Sequence, residues 1–267
     1  MVVTDQMQRS ITLNSNPKRI ISLVPSQTEL LADLGLDSEV VGITKFCIHP
    51  NRWFREKPRI GGTKNVKHEV IESLNPDLII ANKEENSRED IAKLSEQYPV
   101  WISDIKDLDS ALTMIESVGE ICDRIPQAKR ISDEINTSFE ALANSELNQK
   151  RVAYLIWNKP YMAAGHDTFI NHMLGICGFE NAVSPTMRRY PKLDMDWWES
   201  VELDYVLLSS EPFPFKAKHI EDIKKLVPSA RVEIVDGEAF SWYGSRLIKS
   251  PEYFRQLIYD LSRTTSD

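Results

Sequence analysis

Short β-branched runs alternate with apolar stripes of helical period along most of the chain. Lys18-Arg-Ile-Ile-Ser-Leu-Val24 reads as a buried strand. A turn, Pro25-Ser-Gln-Thr-Glu29, leads into an apolar helix over Leu30–Leu34. Gly35 supplies a C′ stop, and Val40-Val-Gly-Ile43 makes a second strand. The same order returns at Lys150-Arg-Val-Ala-Tyr-Leu-Ile156, followed by a helix over Phe169–Ile176, Gly178 as stop and a strand at Ala182-Val183. Arg19 and Arg151 hold matching places 132 positions apart. Glu69-Val-Ile-Glu-Ser-Leu-Asn-Pro-Asp77-Leu-Ile-Ile80 predicts a short helix, a turn and a strand, and Asp196 to Leu207 repeats that pattern at an offset of 127. Pro99-Val-Trp-Ile-Ser-Asp104 is echoed by Arg231-Val-Glu-Ile-Val-Asp236 at an offset of 132. Three elements in one order, at nearly constant offset, predict two halves of one design. Strands alternating with helices predict parallel sheets covered on both faces, an α/β fold with two Rossmann-like lobes.

Between the halves, Ile125-Pro126 opens a stretch, Gln127 to Leu147, that holds neither Gly nor Pro. Its apolar residues Ala128, Ile131, Ile135, Phe139 and Leu142 follow helical spacing, and Pro126 suits a first turn. A helix of that length rises about 30 Å, so the segment is expected to be a single long rigid strut with a ligand cleft between the lobes. The expected division is 1–124 for an N-terminal α/β lobe, 125–148 for the backbone helix and 149–267 for a C-terminal α/β lobe.

Composition narrows the function. The chain is 42% hydrophobic and 27% charged, with 32 basic against 40 acidic residues and a net charge of −8. Such a balance gives no basic face for a phosphate backbone, so no nucleic-acid partner is expected. Its 267 residues suffice for a core without disulfides or a structural metal. Ten glycines are few, and no GxSxG, GxxxxGK[ST] or post-strand GxGxxG motif occurs. The protein is therefore expected not to be an enzyme and to carry no covalent cofactor. Cys47, Cys122 and Cys177 are widely spaced and form no CxxC pair. Cys122 and Cys177 read as small buried hydrophobes. No run approaches the ~20 apolar residues of a membrane span. Residues 1–10 hold no apolar h-region and no cleavage site, so the protein is expected to be cytoplasmic if Met1 is native.

Taken together, Lys18-Arg-Ile-Ile-Ser-Leu-Val-Pro-Ser-Gln-Thr-Glu29, Val41-Gly-Ile43, Gly61-Gly62, Leu74-Asn-Pro-Asp-Leu-Ile-Ile80 and the long helix carry a resemblance. The chain resembles the helical-backbone (class III) periplasmic substrate-binding proteins of ABC importers, which capture cobalamin, haem and ferric siderophores. The resemblance runs from about Thr4 to Leu261, and the cobalamin-binding branch is the most similar. It implies a monomeric, non-catalytic binding protein that takes a metal chelate, a cobalamin or an iron complex, and delivers it to an ABC permease. It also implies a periplasmic or membrane-associated location. In that family an acidic residue of each lobe docks onto permease arginines; Glu69 and Asp196 match by position. A second reading stands beside this, since carboxylates early in a helix are favoured by the macrodipole for about 0.3–1 kcal/mol.

Open α/β sheets build their crevices from the loops that follow the strands. In the first lobe these loops offer Ser26, Gln27, Phe46, Cys47, His49, Asn82 and Glu84 as ligand-binding candidates. In the second they offer Trp157, Tyr161, Arg189, Tyr190, Glu211, Trp242, Tyr243 and Arg246. Aromatic residues with a few charges suit a large, flat, partly apolar ligand such as a macrocyclic chelate. By resemblance, Phe46, Tyr190, Trp242 and Tyr243 fall at or near aromatic contacts of the cobalamin branch. The chain departs from that branch at Thr63 and Asn82, where aromatics are expected, and Asn82-Lys-Glu-Glu-Asn86 makes the edge more polar. Cys47-x-His49 admits three readings: a pair of soft or borderline metal ligands, His49 as a ligand to the metal of a bound chelate, or a loop histidine packed at the cleft wall. His68, His166, His172 and His219 form no ligand pattern. Arg188-Arg189 is either a receptor for an anionic group or a solvated loop edge. A cytoplasmic metal-binding enzyme or metallochaperone that uses Cys47 and His49 in the same bilobed fold is the alternative function.

Overall fold

The computed structural model describes residues 1–142 and 149–263. The chain forms two compact α/β units. The first comprises Met1–Ile105, Asp109–Ile135 and Tyr243–Ile248; the second comprises Lys106–Leu108, Asn136–Trp242 and Lys249–Asp267. Among the described residues no helix is long and apolar enough to cross a membrane.

The chain begins with an antiparallel ribbon, β1 (Val2–Thr4) with β2 (Ser10–Thr12). Next come β3 (Ile20–Ser22), α1 (Pro25–Asp33), β4 (Val40–Ile43) and α2 (Asn51–Glu56). A two-residue hairpin, β5 (Gly61–Gly62) with β6 (Asn65–Val66), precedes α3 (His68–Leu74), β7 (Leu78–Asn82), α4 (Arg88–Ser95) and β8 (Val100–Ser103). Then α5 (Leu108–Ile121) and α6 (Ile125–Glu140) follow. The main sheet has the order β4-β3-β7-β8, all parallel. Every residue of β7 is buried, as a strand covered on both faces requires. The ribbon closes the open edge of β8. Gln6 N donates to Ile102 O at 3.1 Å, Arg9 Nη2 donates to Val100 O at 2.6 Å, and the buried Asp5 carboxylate accepts from Ile102 N at 3.3 Å.

The second unit is built on β9 (Lys150–Trp157), β10 (Met162–Ala163), α7 (Phe169–Ile176), β11 (Phe179–Asn181), α8 (Met195–Ser200) and β12 (Tyr205–Ser209). The chain continues with α9 (Ala217–Lys224), β13 (Arg231–Val235), α10 (Gly237–Ser241) and α11 (Ser250–Arg263). β9, β12 and β13 run parallel; β11 joins β9 in parallel and β10 joins it antiparallel. Leu155, Val206, Leu208, Trp198, Phe215 and Val232 lie in its core.

The internal repeat holds down to register. Ile20 faces Leu78 in one sheet and Val152 faces Tyr205 in the other; Ile79 faces Val100, and Val206 faces Val232. The two motifs of each half bind one another. Asp77 accepts from Lys18 N at 2.7 Å and Arg19 N at 2.8 Å, and its own N–H donates to Arg19 O at 3.0 Å. Asp204 accepts from Arg151 N at 2.8 Å and returns its N–H to Arg151 O at 3.0 Å. In the first unit the Arg19 guanidinium also donates to Leu74 O and Asn75 O, the orphan carbonyls at the end of α3. Asn75 turns into the left-handed region there, with φ 42°.

Three elements differ from the pattern-based expectation. α1 begins at Pro25, so Pro25–Glu29 is helical rather than a preceding turn; proline at the first position has its φ preset and no N–H to leave unpaired. The third strand of the second half is Phe179–Asn181 rather than Ala182-Val183, because Phe179, Glu180 and Asn181 are the residues in register with Lys150, Arg151 and Val152. α6 buries its stripe of Ala128, Ile131, Ile135 and Phe139 as expected, but ends at Glu140. A tight bond from Leu142 N to Phe139 O, 3.0 Å, closes its last turn. The rest of the expected 127–147 strut, residues 143–147, lies outside the described residues.

Helix α5 meets α6 where Gly119 lies under Ala128, so closely that a Cβ on Gly119 would overlap the Ala128 methyl. Alanine should favour an isolated helix by about 1 kcal/mol over glycine. Overpacking a dense interior costs about 1–3 kcal/mol. Gly119→Ala is therefore expected to lower stability by up to about 2 kcal/mol in urea unfolding. A cycle with Ala128→Gly should show favourable coupling of about 1 kcal/mol or more. A Gly119→Ala chain as stable as the parent would show that the contact has room to relax.

Candidate functional site

Because the central strands of each sheet run parallel, the loops that follow them emerge along one edge. In the first unit that edge carries the start of α1, the loop after β4 and the turn after β7. Ser26, Gln27 and Thr28 of α1 face inward. Gln27 is buried and donates through Nε2 to Ser103 Oγ. Thr28 Oγ1 lies 2.8 Å from Ser22 Oγ and 3.0 Å from Cys47 Sγ. Glu29 takes the Arg246 guanidinium in a two-pronged pair, 2.7 Å from Nε and 2.8 Å from Nη2. Beside this pair Gly244, at φ 134°, brings its backbone close to Ser26 O. The segment Tyr243–Ile248 is thus fastened along α1, and Arg246 acts as its anchor. Ser26 and Tyr243 are buried as well.

The loop after β4 separates neighbours that the sequence groups together. Phe46 is 51% exposed, whereas Cys47 is fully buried. The Cys47 thiol sits 3.1 Å from Thr44 Oγ1 as well as beside Thr28, and burial pushes its pKa up. Burial of this kind favours the neutral thiol, so the surroundings of Cys47 are those of a core side chain. His49 is half-buried further along the loop. Lys45 holds its ammonium 4.9 Å above the Phe46 ring, and Lys45 N bonds Gly61 O at 2.8 Å. Asn82 is buried too. Its Oδ1 accepts from Glu84 N at 2.8 Å and Glu85 N at 3.1 Å, and its Nδ2 donates to Ser103 O at 3.2 Å. Asn82 and Gln27 therefore hold the edge together from beneath, and Glu84 rides on the turn that Asn82 forms.

In the second unit Trp157, at the end of β9, is 42% exposed and stands edge-on to Phe213 with centroids 5.8 Å apart. Phe213 also meets Phe215 and His219, at 4.8 and 5.3 Å. Tyr161 packs edge-on to Trp198 at 5.9 Å. The half-buried Arg189 lies 3.3 Å from Asp167, and Gly165 N bonds Arg189 O at 2.8 Å, which sets the loop that continues to the half-buried Tyr190. Trp242 is buried; its indole N–H donates to Glu211 Oε1 at 2.7 Å, and Ser241 Oγ lies 2.9 Å from the same oxygen. Burial pushes the Glu211 carboxyl above its ordinary pKa, against the pull of those two donors.

Glu69 and Asp196 are both exposed in the first turns of α3 and α8. Two turns of equivalent sequence present them, with Ile71 and Trp198 buried two residues on. Thr28, Glu29 and Ser103 escaped the sequence reading. For Glu29 the signal was a carboxylate between the buried Thr28 and Leu30, a setting that favours a cation partner. Cys122 and Cys177 are buried, as expected of small hydrophobes, and burial raises the Cys122 thiol to about 12.

A family model described as "Periplasmic binding protein" matches residues 20–229, from β3 through α9. An uncharacterized ABC transporter substrate-binding lipoprotein of Bacillus subtilis strain 168, YvrC, is 27% identical, with 97% of this chain and 85% of that protein aligned. A vitamin B12-binding protein of Vibrio campbellii is 25% identical over 68% of this chain and 67% of its own. The solved periplasmic heme-binding protein RhuT of Roseiflexus sp. RS-1, at 22% identity, shares the fold with a TM-score of 0.79 over 92% of this chain and 100% of that one. The chain belongs to the periplasmic binding protein family, and it is a binding protein rather than an enzyme.

Glu211 provides a test of the second unit's edge. Its folded pKa is raised, so the folded state holds this proton more tightly than the unfolded chain does. That contribution is complete below the unfolded carboxyl range and is lost as pH rises through the folded value. Glu211→Gln keeps an acceptor for Trp242 without the charge. Relative to the parent, the variant is expected to gain urea stability between pH 4.5 and pH 7.5. A difference that stays constant across that range would remove the buried carboxylate from the account.

Proposed function

We propose that this chain is the substrate-binding protein of an ABC-type importer, and that its cargo is a metal chelate: a corrinoid such as cobalamin, a ferric siderophore or haem. The observation that carries the reading is an exposed aromatic ring at the strand-end edge of each unit, Phe46 in the first and Trp157 in the second. Both rings stand on supported loops at the edge where α/β units bind ligands. Their support is rigid: Phe46 lies over Gly62, and Trp157 leans on Phe213. Relatives named for vitamin B12 and heme binding support the same cargo class. Tyr161, Arg189, Tyr190, His49 and Glu84 complete the candidate contacts. The buried Ser26, Gln27, Asn82, Trp242 and Tyr243 act as their scaffold. The place of work is the outer face of the cytoplasmic membrane, where the permease opens.

Delivery falls to Glu69 and Asp196. They occupy equivalent stations in the repeat, and a permease of two-fold design presents two equivalent basic sites. The burial of the Cys47 side chain weighs against the alternative, a metal site on Cys47 and His49.

Cyanocobalamin, haemin and a ferric hydroxamate siderophore should be titrated against the protein by tryptophan quenching and calorimetry. One class is expected to bind, and Phe46→Ala and Trp157→Ala are each expected to weaken it about 3–10-fold, the worth of a good aromatic contact. Failure of all three classes with folded protein would sink the cargo assignment. Glu69→Lys with Asp196→Lys is expected to leave chelate affinity within about two-fold and to abolish stimulation of the cognate permease ATPase in proteoliposomes. Full stimulation by the double variant would return both residues to a purely helix-stabilising role.

A further inference from the structure

The carboxamide of Asn86 is buried and fully engaged. Its Oδ1 accepts from Asn82 N at 2.8 Å, and its Nδ2 donates to Leu23 O at 3.2 Å and Thr63 O at 3.0 Å. Those three partners belong to three different segments. Leu23 closes β3 just before α1, Thr63 lies in the β5–β6 hairpin, and Asn82 starts the turn that carries Glu84. The hairpin is in turn the floor of the aromatic contact: a Cβ on Gly62 would come to 3.3 Å from Phe46 Cε2, and Lys45 N bonds Gly61 O at 2.8 Å. One side chain thus links the turn under Glu84 to the platform under Phe46.

The repeat marks the same station in the other half. Four residues past the end of β7 stands Asn86; four past the end of β12 stands Phe213. Phe213 N reaches the end of the neighbouring strand, Ile156 O, at 3.4 Å, and its ring supports Trp157. Each half therefore places its loop organiser at one backbone position, an amide in the first and a ring in the second.

We propose that Asn86 is the positioning residue of the first unit's ligand-facing edge, setting Phe46 and Glu84 in their bound arrangement before the chelate arrives. This rests on the transport reading above for the identity of the ligand. Only a primary amide of this length meets the pattern, since two carbonyls require two N–H donors and Asn82 N requires an acceptor. Aspartate keeps the shape but turns an oxygen toward both carbonyls. The loops then order at the moment of binding, and that ordering is subtracted from affinity.

The test compares the parent with Asn86→Asp, and with Asn86→Ala should the first variant not fold. In ligand-free protein, amide exchange at residues 63–66 and 83–86 is expected to accelerate about ten-fold or more, with exchange across β9, β12 and β13 unchanged. Affinity for whichever of cyanocobalamin, haemin or the ferric hydroxamate the parent binds is expected to fall roughly ten-fold at a temperature where the variant is fully folded. A purely structural role would lower the melting temperature and leave the affinity of the folded fraction intact, and that result overturns the proposal. So does unchanged exchange in the two loops, or an acceleration spread evenly over both units. If the parent binds none of the three chelates, the transport reading fails by itself, and the exchange pattern still decides for or against Asn86.

Discussion

The structure depends on a carboxylate placed one residue ahead of a buried strand. Alternation of apolar and polar positions sets register in a half-exposed sheet, because a slip of one residue would turn the core face outward. β7 and β12 are buried at every position, so that cue is missing in both. Asp77 and Asp204 supply it instead: each accepts from the backbone at the start of the adjacent strand and returns its own N–H to the arginine carbonyl there. The Lys-Arg and Leu-Asn-Pro-Asp motifs of the first half occur together because they are two sides of one joint. With register fixed, every strand-end loop emerges at a determined place along its edge.

Much of the architecture was legible because it rests on periodicity and on turn residues, which are local. β4 and α7 lie where the pattern puts them, and the offset of 127–132 between the halves survives as equivalent cross-strand partners. Boundaries were less legible where local signals compete. Pro25 looks like a turn residue, yet it is a favourable first helical residue when the preceding Val24 is extended. The end of α6 at Glu140 falls in a stretch without glycine or proline, so no side chain announces it.

The site was legible as an edge but not as a surface. Strand-end loops have no period, so sequence spacing cannot say which of two neighbours points outward. Phe46 and Cys47 show the consequence: adjacent in the chain, one is half exposed and the other is in the core. Gln27 and Asn82 have the chemistry of ligand contacts and spend it on Ser103 and on backbone amides. The same blindness hides long-range pairs. Glu29 and Arg246 stand 217 residues apart in the chain, and only the path of Tyr243–Ile248 along α1 makes the glutamate of the Ser-Gln-Thr-Glu segment intelligible. That first stretch of α1 is a set of braces, with Gln27 toward Ser103, Thr28 toward Ser22 and Cys47, and Glu29 toward Arg246.

Duplication and divergence act at different levels of this molecule. The backbone repeat fixes where loops leave the sheet, and the residues just past each strand decide what the edge presents. In the first unit neutral amides, Gln27, Asn82 and Asn86, tie the loops together beside the Glu29–Arg246 ion pair. In the second unit the equivalent ties run through rings and through Glu211, whose raised pKa makes the seat of Trp242 sensitive to protonation. Two halves that were equivalent as scaffolds are thereby unlike as surfaces, one a hydrogen-bonded rim carrying a single ring and the other an aromatic cluster carrying one carboxylate.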